Sequence, residues 1–176
     1  CNFGSKIPTQ NLKATFIQNS GEIRVNGTFG AHVLDFKGGV LSGVGQVLKF
    51  PQISPNPAFS IAPGSVDAPF GELKLIPLNN SMGFGQGSLD VVVGGAVNQN
   101  SKLRVEGELY LANNAKINVT LKNGFVPSLG NSFTLISAGL INIASFNQAN
   151  LNLPKLPVGR QWRLDNTGTA LKITVI

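Results

Sequence analysis

Charge is scarce in this chain. Only 12% of its residues are Asp, Glu, Lys or Arg, about half the usual share. Histidine and cysteine occur once each, as His32 and Cys1, and there are eight carboxylates. Acid–base, nucleophilic and metal chemistry all draw on clusters of these residue types, so little material is present for any of them. A lone cysteine excludes an intramolecular disulfide. No unbroken apolar run reaches the ~20 residues of a membrane-spanning helix. Helical patterning is missing too, because no window of about a dozen residues keeps a 3.6-residue apolar period free of Gly and Pro.

What is present points to strands. Hydrophobic residues make up 42% of the 176 positions, too many for a disordered tail and enough for one domain with a sizeable core. Apolar and polar residues alternate in Leu103-Arg104-Val105 and in Leu109-Tyr110-Leu111. Over 116–121 the alternation sets Ile117, Val119 and Leu121 on one face and Asn118 and Thr120 on the other. Near the C-terminus, Leu171, Ile173 and Val175 face inward and Lys172 and Thr174 outward. The run Val91-Val92-Val93 reads as a strand covered on both faces. Asn26-Gly27, Gly38-Gly39, Gly94-Gly95, Asn113-Asn114 and Asn123-Gly124 supply turns. The proline-rich stretch 51–69 and the stretch 147–159 read as irregular excursions that keep apolar residues such as Ile61, Leu151, Leu153 and Leu156. The chain is therefore expected to be a single all-β domain over 1–176. Strand-like stretches beginning at Leu89, Leu103, Ile117 and Phe133 recur every 14 to 16 residues, which suits either a sandwich or a solenoid.

A resemblance sharpens the choice. Gly38-Gly39-Val40-Leu41-Ser42-Gly43-Val44-Gly45 resembles the G-L-S-G-x-G element of bacterial autotransporter-associated β-strand repeat proteins. Ile61-Ala62-Pro63-Gly64-Ser65 and then Gly71-Glu72-Leu73-Lys74-Leu75 resemble their I-x-P-G-x-S-P-G-x-L-x-I element. Leu89-Asp90-Val91, Leu103-Arg104-Val105, Asn118-Val119-Thr120-Leu121, Asn123-Gly124-Phe125-Val126-Pro127 and Gly130-Asn131-Ser132-Phe133 follow in an order similar to the family's closing segment, as does the strand around Trp162. The resemblance implies a surface-exposed or secreted protein and a short right-handed parallel β-helix, or β-solenoid. On that reading, residues 38–176 form the solenoid body. Residues 1–37 form N-terminal strands available as an exchanged or docking segment. The alternative fold is an antiparallel β-sandwich of the jelly-roll type.

The net charge of +6 comes from Lys and Arg spread singly along the chain with few aromatics between them, so no nucleic-acid partner is expected. Cys1 at the first position is similar to a processed lipoprotein and is the candidate lipidation site. Membrane contact is expected only through such a lipid, with the chain extracellular or on the cell surface. No cofactor, metal or catalytic residue is expected. His32 lies three residues from Asp35, on opposite faces of a strand. Glu106 and Glu108 form a candidate carboxylate pair beside Arg104, read as a surface charge ladder. The glycines between Gly83 and Gly87 read as a turn rather than a phosphate loop. Sequons at Asn26, Asn79 and Asn118 occur about as often as chance supplies.

The strongest functional expectation concerns the chain's end. An apolar terminal strand carrying Leu171, Ile173, Val175 and Ile176 is the candidate self-assembly strand, with residues 12–18 adding to a neighbour. Head-to-tail contacts of that kind build a fibre or surface layer. The alternatives are an adhesin or carbohydrate-binding module, with Tyr110 and Trp162 available for sugar stacking, and a glycan-processing enzyme on a β-helix.

Overall fold

The structure is a computed structural model that describes residues 2–3, 15–50, 58–94, 99–122 and 124–176. Strands dominate it, and no α-helix occurs among the described residues. The strands are β1 (Asn2–Phe3), β2 (Thr15–Gln18), β3 (Glu22–Val25), β4 (Thr28–Gly30), β5 (Val33–Phe36), β6 (Gly39–Gly43) and β7 (Gln46–Phe50). They continue as β8 (Phe59–Pro63), β9 (Glu72–Pro77), β10 (Ser81–Phe84), β11 (Ser88–Val93), β12 (Lys102–Leu111) and β13 (Lys116–Leu121). The last are β14 (Ser132–Ile143), β15 (Leu151–Asn152), β16 (Trp162–Asn166) and β17 (Ala170–Val175).

Two large sheets share these strands. The first runs β1-β3-β6-β8-β11-β13-β15 and the second β16-β17-β14-β12-β9-β7-β4, with β10 joined to β12 and a separate pair β2-β5. The chain alternates between the two large sheets, from β3 to β4, β6 to β7, β8 to β9, β11 to β12 and β13 to β14. Every strand pairing among the described residues is parallel except the two made by β17. Partners across these ladders lie 18 residues apart at Thr28 and Gln46, 28 at Asp90 and Asn118, and 34 at Asn118 and Asn152.

Alternation decides what is buried. In the first sheet Ile23 faces Leu41, Leu41 faces Ile61, Ile61 faces Leu89, Leu89 faces Ile117 and Ile117 faces Leu151. All six are buried. In the second sheet Leu73, Leu103, Ile136 and Leu171 form a matching column. Both columns belong to one continuous hydrophobic cluster, which removes apolar side chains from water on facing sheets at once. The valine run departs from the expectation of cover on both faces: Val91 and Val93 are buried, whereas Val92 points outward and is half-buried. Gly43 shows why a glycine closes β6. Its φ is +116°, and a Cβ there would sit 2.1 Å from the Val25 carbonyl oxygen.

The C-terminal end is closed by the chain itself. β17 pairs antiparallel with β14 on one side and with β16 on the other. Trp162 is buried against Phe133, with ring centroids 6.3 Å apart, and its Nε1 donates to the Pro154 carbonyl at 2.9 Å. Leu153, Leu156 and Leu164 pack on the same cluster, so the irregular stretch after Asn147 serves as cover. Asn147 and Asn150 cap the short 3-10 turn there reciprocally.

Candidate functional site

The terminal strand is the first sequence-predicted site to be corrected. Leu171, Ile173 and Val175 are buried, and β17 has hydrogen-bonding partners on both edges. Ile176 is half exposed, but its N–H and C=O both bond to Gln161, at 2.9 and 2.8 Å. The chain folds 162–166 back as the outer strand, so the terminal strand is internal and offers no edge to a neighbour. The outer strand carries Arg163 and Asp165, paired at 2.8 Å, and charge on an edge discourages strand addition. At the other end, Thr15–Gln18 of the expected docking segment already pairs with β5. Residues 12–14 and Cys1 lie outside the described residues.

The remaining expectations fall as follows. His32 is exposed just before β5, and Asp35 pairs with Lys37 at 3.5 Å. Glu106 and Glu108 both lie on the outward side of β12, with Gly107 between them at φ +108° where the register of the strand shifts. Glu106 holds Lys74 and Arg104, at 2.9 and 3.0 Å, while Glu108 accepts from the Tyr110 hydroxyl. Gly83 and Phe84 belong to β10, and a turn with Gly87 at φ +92° leads into another strand. Trp162 is buried and unavailable for stacking, whereas Tyr110 is exposed. No group of three His, Cys, Asp or Glu side chains that could hold a metal occurs among the described residues.

Two outward surfaces are organised. On the second sheet a cavity of about 580 Å³ is lined by Phe70, Asn100, Lys102, Thr134 and Lys172. Lys102 is paired with Glu72 at 3.1 Å, and the Lys122 ammonium sits 5.0 Å from the Phe70 ring centre. The first sheet carries a polar ladder. Asn152 Nδ2 donates to Asn118 Oδ1 and Asn118 Nδ2 donates to Asp90 Oδ1, both at 2.6 Å. Further along, Ser42 Oγ donates to Glu22 Oε1 at 2.6 Å and Arg24 donates to the same carboxylate at 3.0 Å. The turn after β8 walls this face, with Gly64 at φ +103° and the Ala68 N–H bonded to Ser65 Oγ at 3.0 Å. Between wall and ladder lies a groove of about 390 Å³, which includes Glu22, Arg24, Asp90 and Asn118. The ladder escaped the sequence reading because its members are 28 and 34 residues apart.

These surface carboxylates set a pH response. The Ser42 hydroxyl and then Arg24 hold Glu22 below its ordinary value of 4.5. Arg163 and then Thr174 do the same for Asp165, whose ordinary value is 3.8. A carboxylate depressed in the folded state adds stability above its unfolded pKa and loses it as pH falls through the folded value. The melting temperature is therefore expected to stay level from about pH 8 to about pH 5 and to fall below about pH 4. A Glu22→Gln, Asp165→Asn double variant should lie below the parent at pH 7 and below it by a smaller margin at pH 3. A constant gap at both pH values in thermal melts would remove these two groups as the cause.

No protein-family model matches the chain, and no curated protein is significantly similar to it.

Proposed function

We propose that the chain is a short right-handed parallel β-solenoid that serves as a non-enzymatic structural module outside the cell and associates with itself through strand edges. The supporting observation is the buried column from Ile23 through Leu41, Ile61, Leu89 and Ile117 to Leu151. Parallel neighbours joined by crossings to a second sheet suit a solenoid, whereas a jelly-roll needs antiparallel neighbours. The right hand follows the rule for parallel crossovers. Extracellular placement rests on the resemblance to autotransporter-associated repeat proteins.

The ends of the strand order differ, and that restricts the mode of association. A head-to-tail fibre needs two complementary ends. In the second sheet one end is closed by the charged β16–β17 hairpin, in the first that end is the two-residue β15, while β1, β2 and β4 stand last in their strand orders at the other among the described residues. Pairing of two copies through their like ends at β1–β4 closes a two-fold dimer. Light scattering behind size-exclusion chromatography is expected to give twice the 18.5 kDa chain mass at micromolar concentration, with no filaments by negative-stain microscopy. Filaments, or a monomer at every concentration, would overturn the dimer.

A second reading, a glycan-binding surface module, is favoured by the Asp90–Asn118–Asn152 ladder, since aligned amides and carboxylates both donate to and accept from hydroxyls. The third, a glycan-processing enzyme, has less support, since Glu106 is held by Lys74 and Arg104 and Glu108 by the Tyr110 hydroxyl.

A further inference from the structure

The exposed aromatic occupies an open row. β10, the second half of β12 and the second half of β14 lie side by side in register. Met82, Leu109 and Ile141 are the inward row, all buried. The adjacent outward row is Gly83, Tyr110 and Asn142. Tyr110 is 48% exposed, and its hydroxyl donates to Glu108 Oε2 at 2.6 Å. That bond, together with one to the Asn142 side chain, fixes the phenol tip while nearly half of the residue stays exposed. The Glu108 carboxylate also holds the phenol above its ordinary pKa, so the hydroxyl keeps its proton at neutral pH.

Gly83 is the unexpected member of the row. It lies inside a strand, outside the left-handed region, and a Cβ there would meet nothing within 4 Å. Neither backbone conformation nor crowding calls for glycine. Glycine inside a strand costs about 0.5–1 kcal/mol relative to alanine, and it commonly marks a place where something approaches closely. Beside Tyr110 the missing side chain leaves a shelf, part of a cavity of about 420 Å³ whose lining includes Gly85, Ala112, Asn142 and Ala144 and no Lys or Arg.

We propose that the Gly83–Tyr110–Asn142 row is a stacking site for a pyranose ring of a neutral, flat, β-1,4-linked glycan. Tyr110 offers an apolar ring face with a polar tip. Glu108 accepts hydroxyl hydrogens, and the Asn142 amide both donates and accepts. A carboxylate without a lining cation repels phosphates and uronates, and a nucleic acid would need both stacking and positive charge. A flat sheet floor matches a ribbon-like chain. The proposal deepens the glycan-binding reading and rests on it.

The test is calorimetric titration of the full chain with cellotetraose, chitotetraose and the oligonucleotide dT8. At least one tetrasaccharide is expected to bind, with Kd on the order of 100 μM, an affinity of about −5.5 kcal/mol. Tyr110→Ala and Gly83→Val should each weaken it at least tenfold, and Tyr110→Phe should keep it within about threefold. Val suits a strand and has room at this position, so Gly83→Val should melt at or slightly above the parent and report on the shelf alone. Failure of both sugars to bind, binding that survives both substitutions, or preference for dT8 would each overturn the proposal. Binding that survives Tyr110→Ala but is lost in Asn118→Ala would overturn the shelf and leave the glycan-binding reading standing on the other sheet.

Discussion

Ending the chain after Gln161 is expected to turn a species of defined size into an aggregating one. The deletion removes β16 and β17 and with them the buried side chains of Trp162, Leu171, Ile173 and Val175. At about 1.5–3 kcal/mol per buried side chain, the loss is on the order of the whole stability of a domain. It also strips β14 of its antiparallel partner from Ser132 to Ser137 and uncovers Phe133, which is fully buried in the intact chain. A long, flat, apolar strand with an unpaired edge is a template for association. Light scattering should show mass growing with time, where the intact chain shows a fixed mass. A truncated chain that stayed at fixed mass and melted like the parent would mean that the hairpin is not what seals this end. The sign matters, because a reading of the sequence alone expects removal of 171–176 to abolish assembly, and the structure expects it to start assembly.

Leu89→Ala should cost about 3 kcal/mol, within the usual 2–5 for this change in a core. Leu89 is fully buried in the middle of the first sheet's column, between Ile61 and Ile117, and neighbours held by ladders on both sides cannot collapse into the space. For a chain of this size that corresponds to a drop in melting temperature of roughly 6–12 °C. Leu89→Asp, which places an uncompensated charge in that column, should prevent folding. The adjacent outward substitution Asp90→Ala removes one surface hydrogen bond to Asn118 and should cost about 1 kcal/mol. Circular-dichroism melts of the three variants decide the matter. Equal losses for Leu89→Ala and Asp90→Ala would contradict the inward and outward assignment itself.

Strand identity was legible because period-two alternation is local. Of the inward set Ile117, Val119 and Leu121 the first two are buried and Leu121 partly so, and Leu171, Ile173 and Val175 are all buried as their sequence pattern requires. Partnership was not legible. The 14–16-residue rhythm from Leu89 to Phe133 marks the alternation between sheets, β11 to β12 to β13 to β14, whereas hydrogen-bonded partners lie two such steps away. Parallel neighbours meet at long sequence distance, so no short window contains both. The partners of Glu106 and Glu108 were only partly legible: Arg104 and Tyr110 are two residues away, whereas Lys74 comes from the neighbouring strand β9. The fate of the C-terminal strand hung on one tight turn, in which the Gly168 N–H bonds to Asn166 Oδ1 at 3.0 Å and Gly168 takes φ +86°. That turn sends the chain back, and its Asn-Thr-Gly sequence was the available signal.

The unequal steps between ladder partners, 18, 28 and 34 residues, bear on how such a chain can change length. In the solenoid proposed above, each added segment leaves at a corner and returns to the same tread, so the inward columns do not move when a landing grows. Spacing along the axis is set by the ~4.8 Å distance between hydrogen-bonded strands, whatever the number of residues spent on the circuit. Insertions at corners therefore lengthen the polymer without lengthening the object, and variation in chain length is uncoupled from reach. Extending the object takes a whole further circuit, inserted between existing ones, with the closing hairpin carried outward unchanged.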